Sequence, residues 1–313
     1  MKILITGALG HIGSRLIHSI KPGEFEEIIL LDNLLTQRYS SLFDLPSGVS
    51  FRFIEADICK ADLAELFDGI DAVVHLAAIT DAAGSFDNQE AIENVNFTGT
   101  ETVAQACLQK GCRLFFPSST SVYTSKASVV NENSDASLGQ AQSPYAASKI
   151  RGEDLLKEYG NKGLKYTVCR FGTIFGISKG MRFHTAVNKF CWQAVFNKPI
   201  TVWETALGQK RPYLDLGDAV EIIKFILIKD LFDNEINNAA TVNCTVQEII
   251  DVIASHVNGI NISKIKATIM NDLSYSASND RLISKGFCFK GDLQKSVAET
   301  VSLLKNASAK RNQ

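Results

Sequence analysis

The chain has 313 residues, 45% of them hydrophobic and 21% charged, enough for one large α/β domain or two modest ones. A formal net charge of −2 gives no electrostatic footprint for nucleic acid or for an anionic membrane surface. No apolar run approaches a membrane span and the apolar start is too short for a leader, so a cytoplasmic setting is expected.

Lys2 to Thr6 reads as a short apolar strand. Gly7, Gly10 and Gly13 then punctuate a turn that runs into the helix-forming Ser14-Arg15-Leu16-Ile17. A strand, a glycine turn and a helix N-terminus together make an anion site, because backbone N–H groups can approach a diphosphate there. The glycines stand as Gly-x-x-Gly-x-x-Gly, whereas the usual dinucleotide fingerprint is Gly-x-Gly-x-x-Gly. The next strand, Glu27 to Leu31, is followed at once by Asp32, an acid at the expected distance beyond the turn. A carboxylate there accepts from both ribose hydroxyls of NAD and repels the 2′-phosphate of NADP. Asn33 adds no positive charge, and Arg38 stands several residues away. NAD is therefore the predicted cofactor.

Phe51 to Glu55 reads as a third strand. Beyond it, Asp57 and Ile58 suit the edge and face of an adenine ring; equally, Asp57 could cap a helix over Lys60 to Phe67. The fourth strand, Ala72 to Leu76, is nearly all apolar, as in a sheet covered on both faces. It ends in Ala77 and Ala78, small residues where a backbone must approach a ligand, and His75 within it reads as a satisfied core histidine. A long helical pattern over Ile92 to Lys110 carries Asn96, directed away from the apolar positions or into a buried polar slot. Leu114 to Pro117 is a fifth strand, followed by the polar run Ser118-Ser119-Thr120-Ser121. Pro144 opens a helix over Tyr145 to Tyr159, and Lys165 to Arg170 is a sixth strand.

Beyond Gly172 the alternation loosens. Helices are expected over 183–196, 218–228, 246–257 and 293–304, extended segments over 201–203, 212–214 and 238–242, and a frayed tail over 307–313. The fold class that follows is α/β: a Rossmann-type doubly wound parallel sheet with a smaller C-terminal substrate-binding lobe. Residues 1–171 form the expected NAD-binding Rossmann domain, segments near 210–242 rejoin it, and 172–313 are mostly the substrate-binding lobe. The seven cysteines are scattered and make no Cys-x-x-Cys pair, which predicts free thiols and no metal site.

Tyr145 and Lys149 lie four residues apart, on one helix face. An unperturbed tyrosine, with a pKa of about 10, is a poor base at neutral pH. A lysine ammonium about 4 Å away would stabilise its phenolate by on the order of 4 kcal/mol at an effective dielectric of about 20. That would pull the phenol down toward neutrality, so that Tyr145 could take the proton of a substrate hydroxyl while the carbon gives up hydride. Ser119 would orient the same oxygen, with Thr120 as a helper.

In these motifs and their order the chain resembles the extended short-chain dehydrogenase/reductases, and within them the NAD-dependent nucleotide-sugar epimerase/dehydratase group. The matching pieces are Thr6 to Gly13, Asp32-Asn33-Leu34, Asp57-Ile58, His75 to Ala78, Asn96, Ser118 to Tyr123, Tyr145 to Lys149, Arg170 to Gly176 and Arg211 to Asp218. The resemblance implies a catalytic set of Ser119, Tyr145 and Lys149. It implies that Gly7, Gly10, His11, Ile12, Gly13, Asp32, Asn33, Asp57, Ile58, Leu76, Ala77, Ala78 and Asn96, with Tyr145 and Lys149, hold the cofactor. Thr80, Ser119, Thr120, Thr173, Arg182 and Arg211 are the implied contacts to a nucleotide-sugar substrate, Arg211 as a diphosphate ligand, with His184 near the same place. A homodimer packed through the helices near 92–110 and 145–159 is also implied.

Departures from the family pattern bear on the reaction. Sugar 4,6-dehydratases of the group carry Asp-Glu just after the catalytic Thr, where this chain has Thr120 and Ser121. A second diphosphate-clamping arginine has no match between 264 and 280, leaving Arg281 or Lys264 as substitutes. The expected function is a 4-epimerase working through a transient 4-keto sugar. A dehydrogenase, reductase or dehydratase of the same family is the alternative, and a non-catalytic NAD-binding redox sensor is the alternative from another class.

Overall fold

The computed structural model describes residues 1–266 and 273–307. Its strands in chain order are β1 (Lys2–Thr6), β2 (Glu27–Asp32), β3 (Phe51–Glu55), β4 (Ala72–His75), β5 (Arg113–Ser119), β6 (Val129–Val130) and β7 (Tyr166–Phe171). There follow β8 (Thr173–Phe175), β9 (Ile200–Trp203), β10 (Lys210–Asp215), β11 (Ile236–Ala239), β12 (Val242–Thr245), β13 (Ile262–Ile265) and β14 (Ser276–Ala277). The helices are α1 (His11–Ser19), α2 (Leu63–Leu66), α3 (Gln89–Ile92), α4 (Gly99–Lys110), α5 (Pro144–Asn161), α6 (Ala186–Val195), α7 (Leu216–Lys229), α8 (Val246–Ala254), α9 (Asp280–Ser284) and α10 (Leu293–Lys305).

Seven parallel strands make the central sheet, in the order β11-β7-β5-β4-β1-β2-β3. The chain order reverses between β1 and β4, and such a switch point opens a crevice at the carboxyl ends of the strands. Both faces of the sheet are covered, which is why its strands read as nearly continuous apolar runs. One core joins Ile3, Ile5, Ile28, Leu30 and Val74 to α1 and α7, through Leu16, Ile17, Ile222, Ile223 and Ile226. The other joins Leu4, Ile29, Val73, Leu114 and Phe116 to α2, α4 and α5, through Leu63, Val103, Cys107 and Leu156. A third core binds α6, α8 and α10 to β9, with Phe190, Ile200, Ile249, Ile253 and Val301 buried. β11 adds the edge strand of the large sheet, whereas β10 lies outside it, between β12 and β8 in a three-stranded sheet.

Three local differences from the sequence expectation have physical causes. The helix expected over 92–110 is broken by a π-helical turn at Glu93–Thr98, and such turns mark places where a side chain is re-aimed. Here it delivers Asn96 to a buried position where its amide donates to the Ile79 carbonyl and accepts from the Ile79 N–H, each at 2.8 Å. The helix expected over 60–67 shrinks to α2, because Asp62 caps it by accepting from Ala64 and Glu65. Asp57 instead accepts the Cys59 N–H at 2.9 Å. The helix expected from Phe183 starts only at Ala186, since the preceding segment is held against the glycine turn. The end of the frayed tail, 308–313, lies outside the described residues. All seven cysteines are free.

His75 is a core histidine, with Nδ1 at 2.8 Å from the Thr6 hydroxyl and Nε2 at 3.1 Å from the Thr100 hydroxyl. Burial lowers its pKa from 6.5 to about 3, so it stays neutral in the fold while the unfolded chain protonates it. In that window the unfolded state binds more protons, and stability falls as pH drops from 6.5 toward 3. Replacing His75 with Gln should flatten the dependence of unfolding free energy on pH between about 4 and 6 by roughly 1.4 kcal/mol per pH unit. Urea titrations at a series of pH values measure that slope directly.

Candidate active site

A cavity of about 860 Å³ opens at the carboxyl ends of β1, β2, β4, β5 and β7 and runs on toward β9 and β10. Its first wall is the glycine turn. Gly7 has φ +63°, and a Cβ there would stand 2.6 Å from the Ala77 nitrogen. A Cβ on Gly13 would stand 2.5 Å from the Ala8 carbonyl oxygen. Only glycine lets β1, the turn and the β4 loop come this close. Gly10, His11, Ile12 and Gly13 line the cavity at the N-terminus of α1, where no side chain caps the helix. That leaves the positive end of the helix turned toward a ligand.

Asp32 stands beside the turn on the same wall. Its carboxylate accepts the Leu9 N–H at 3.0 Å and the Leu34 N–H at 2.9 Å, which fixes its orientation. Asn33, Asp57, Ile58, Leu76, Ala77 and Ala78 line the cavity around it. Arg38 also reaches the wall; burial lowers its pKa and Asp32 opposes that. The cradle, the helix end and the oriented carboxylate fit a dinucleotide, and no cluster suited to a metal ion occurs among the described residues.

Ser119, Tyr145 and Lys149 converge farther along the cavity. Ser143 starts α5 by accepting the Ala146 N–H, and Pro144 supplies its first turn, so Tyr145 and Lys149 face the cavity together. Lys149 is 4% exposed; its ammonium donates to the Pro117 carbonyl at 2.9 Å and lies 4.6 Å from the Phe116 ring centre. Burial lowers its pKa to about 8, against the pull of Glu153. The Ser119 hydroxyl accepts from the Ser121 hydroxyl at 2.9 Å and from its N–H at 3.1 Å.

One electrostatic expectation is corrected. The Tyr145 pKa is raised, because burial outweighs the opposing pull of Arg182 and the Ser119 hydroxyl. The Lys149 nitrogen lies 6.0 Å from the Tyr145 ring centre and spends its hydrogen bond on Pro117. The phenol therefore keeps its proton at neutral pH until a ligand changes the balance.

Other expectations divide. Thr80, Thr173, Arg182, His184 and Arg211 line the cavity. Asn96 does not: its side chain is committed to Ile79 and to Ser148, and it braces the loop that the ligand would touch. Thr120 does not line it either; it is buried behind the wall, with its carbonyl accepting from the Tyr275 hydroxyl at 2.7 Å, and Ser121 takes its place. Arg281 donates to the Ile236 carbonyl at 2.7 Å, at the amino end of β11 and remote from the strand ends that form the site. Lys264 is exposed on β13 and also lies off the wall. The sequence reading missed Lys189 and Trp203, both on the cavity wall. Lys189 had a signal, as the single charged residue in the otherwise apolar and amide-bearing α6.

The model of the NAD dependent epimerase/dehydratase family matches residues 3–240. The chain belongs to this family. It is 30% identical to an uncharacterised UDP-glucose epimerase, YtcB, of Bacillus subtilis (strain 168), over 86% of this chain and 84% of that protein. Its fold superposes on the UDP-glucose 4-epimerase of Thermus thermophilus in complex with NAD with a TM-score of 0.82, at 25% identity, covering 98% of this chain and 100% of the other. It superposes on the UDP-glucuronic acid 4-epimerase of Bacillus cereus, in complex with UDP-glucuronic acid and NAD, with a TM-score of 0.86, at 24% identity and with coverage of 98% and 100%.

Gly13→Ala should cost the cofactor cradle its shape, since backbone atoms of the turn cannot move away as a flexible side chain would. Bound NAD, measured by absorbance after gel filtration, is expected to fall by at least about tenfold, the equivalent of 1.4 kcal/mol.

Proposed function

We propose that the chain is an NAD-dependent nucleotide-sugar epimerase that inverts a carbinol carbon, C4 of the hexose, through a transient 4-keto sugar. The observation that carries this reading is the convergence of Ser119, Tyr145 and Lys149 in one cavity, between a dinucleotide cradle and a basic wall. Residues 171–265 contribute Arg182, His184, Lys189 and Arg211 to that cavity and no acidic side chain. Such a wall suits a diphosphate.

NAD, when bound, supplies a hydride acceptor, the matching donor and a positive charge in the site. Gly7, Gly10, Gly13 and the start of α1 would hold its diphosphate, and Asp32 a ribose. In its phenolate form, which the positive charge of bound NAD would favour, Tyr145 takes the proton from the C4 hydroxyl as that carbon is oxidised, and gives it back to the keto oxygen on return. Ser119 donates a hydrogen bond to the same oxygen and holds it in place as charge shifts. Lys149, held by the Pro117 carbonyl with its ammonium 6.0 Å from the Tyr145 ring centre, favours the charged phenolate when it is itself protonated. Arg211 and Lys189 hold the substrate diphosphate while the sugar turns.

Elimination of a sugar hydroxyl is disfavoured, because Thr120 and Ser121 follow Ser119 where a dehydratase of this group needs an acid pair. The acids on the wall are Asp32, Asp57 and Asp81, none of them in that run. A redox sensor without catalysis has no use for the assembled serine, tyrosine and lysine. A homodimer through α4 and α5 is part of the proposal; light scattering on a gel-filtration column should give twice 34.2 kDa.

With UDP-glucose and related nucleotide sugars as probes, NMR should show the C4 epimer accumulating without net NADH release. Absence of the C4 epimer across a panel of nucleotide sugars, with the protein loaded with NAD, would defeat the reading. Tyr145→Phe should lower kcat by about 10²–10⁴-fold while the protein still carries NAD. Near-normal turnover in that variant would remove Tyr145 from the chemistry.

A further inference from the structure

Behind the cavity wall a buried tyrosine stands between two parts of the site. Tyr275 is 2% exposed and does not line the cavity. Its hydroxyl donates to the Thr120 carbonyl at 2.7 Å. Thr120 lies between Ser119 and Ser121, which both line the cavity. The Tyr275 ring meets the Tyr123 ring edge-on, with 6.0 Å between centres, so the turn after β5 is held at its start and at its end. On its other side the Arg211 guanidinium carbon lies 5.2 Å from the Tyr275 ring centre, within range of a cation–π contact. The charge of Arg211 and its approach to the hydroxyl oppose the rise that burial gives the phenol. The backbone keeps this arrangement in register. The Tyr275 N–H donates to the Lys210 carbonyl at 2.9 Å, one residue before Arg211, and the next residues pair with β6 as β14.

Resting on the nucleotide-sugar reading above, we propose that Tyr275 is a positioning residue that couples the two ends of the substrate. Its ring holds Arg211 ready for the diphosphate, and its hydroxyl, through the Thr120 carbonyl, holds Ser119 at the reacting sugar hydroxyl. A long side chain loses rotamer freedom when it grips a ligand, and a guanidinium already stacked on an aromatic face has less of it to lose. The turn gains in a different way. The Thr120 carbonyl is buried with its residue, and its bond to the phenol fixes the peptide that leads out of Ser119. Close-packed interiors pass a displacement from one neighbour to the next, so a shift of Arg211 onto its ligand presses on the turn. Ring and hydroxyl thus carry separable tasks, binding for the one and turnover for the other.

Two substitutions divide those tasks. Tyr275→Phe keeps the ring and deletes the hydroxyl, whereas Tyr275→Leu deletes both. The NAD-loaded proteins are titrated with UDP by calorimetry and assayed for turnover of UDP-glucose. In Tyr275→Phe, kcat is expected to fall about tenfold while KM and UDP affinity stay within about twofold. In Tyr275→Leu, UDP affinity should fall about three- to tenfold, and that loss should vanish in the Arg211→Met background. Parallel losses of kcat and UDP affinity in Tyr275→Phe, together with a lower Tm, would make Tyr275 a structural brace and overturn the proposal. An unchanged kcat in Tyr275→Phe overturns the hydroxyl's role. A loss in Tyr275→Leu that is as large with Arg211→Met as without it overturns the ring's role. If Arg211→Met binds UDP as tightly as the unmodified protein, the diphosphate assignment of Arg211 fails and takes the proposal with it. Absence of the C4 epimer in the NMR assay is a separate result, because the UDP titrations decide the link between Tyr275 and Arg211 without turnover.

Discussion

The geometry of the candidate site depends on one carboxylate buried between α5 and β7. Glu153 accepts from the Ser118 hydroxyl at 2.5 Å and from two nitrogens of Arg170, at 3.0 and 2.6 Å. Both members of the pair are nearly solvent-free, with 7% and 4% of their side-chain surfaces exposed. Breaking such a pair from one side costs about 3–5 kcal/mol, since the remaining charge stays buried. Ser118 precedes Ser119, and Glu153 lies one helical turn beyond Lys149, which feels its charge. The same carboxylate thus ties together the end of β5, the working face of α5 and the strand beside them. Three side chains from two elements stay in register because their supports share a partner.

A second constraint joins the 178–182 segment to the start of α1. The Gly180 N–H donates to the Ser14 hydroxyl at 3.0 Å, and a Cβ at 180 would stand 2.4 Å from the Leu9 carbonyl oxygen. Ser178 meets the His11 ring at 3.0 Å, and Lys179 donates to the Phe43 carbonyl at 2.5 Å. The segment that carries Arg182 is therefore laid across the glycine turn before it enters α6. The chain thus folds back over the glycine turn to bring Arg182 and His184 to the cavity wall.

Much of this was legible in the sequence, for a definite reason. The parallel strands are covered on both faces, so β1, β2, β4 and β5 announce themselves as apolar runs ending in glycine, acid or small residues. The glycine turn, Asp32 and the Tyr145–Lys149 spacing are local patterns, and local patterns survive in one dimension. What was hidden depends on contacts far apart in the chain. That Asn96 would brace Ile79 required the π-helical turn, which has no periodic signature. That Thr120 would face Tyr275 and Ser121 the cavity depends on a single tight turn after β5. The rise in the Tyr145 pKa was hidden too, because spacing gives a neighbour's charge but not the loss of water around both groups.

The contact of Gly180 with the turn also bears on how the cradle meets a ligand. Residues 178–180 lie off the cavity wall and clamp the turn from outside. A loop held in this way presents its backbone N–H groups already aligned, so an arriving anion has little of the protein left to order, and the entropic toll that a looser loop would exact on each encounter is absent.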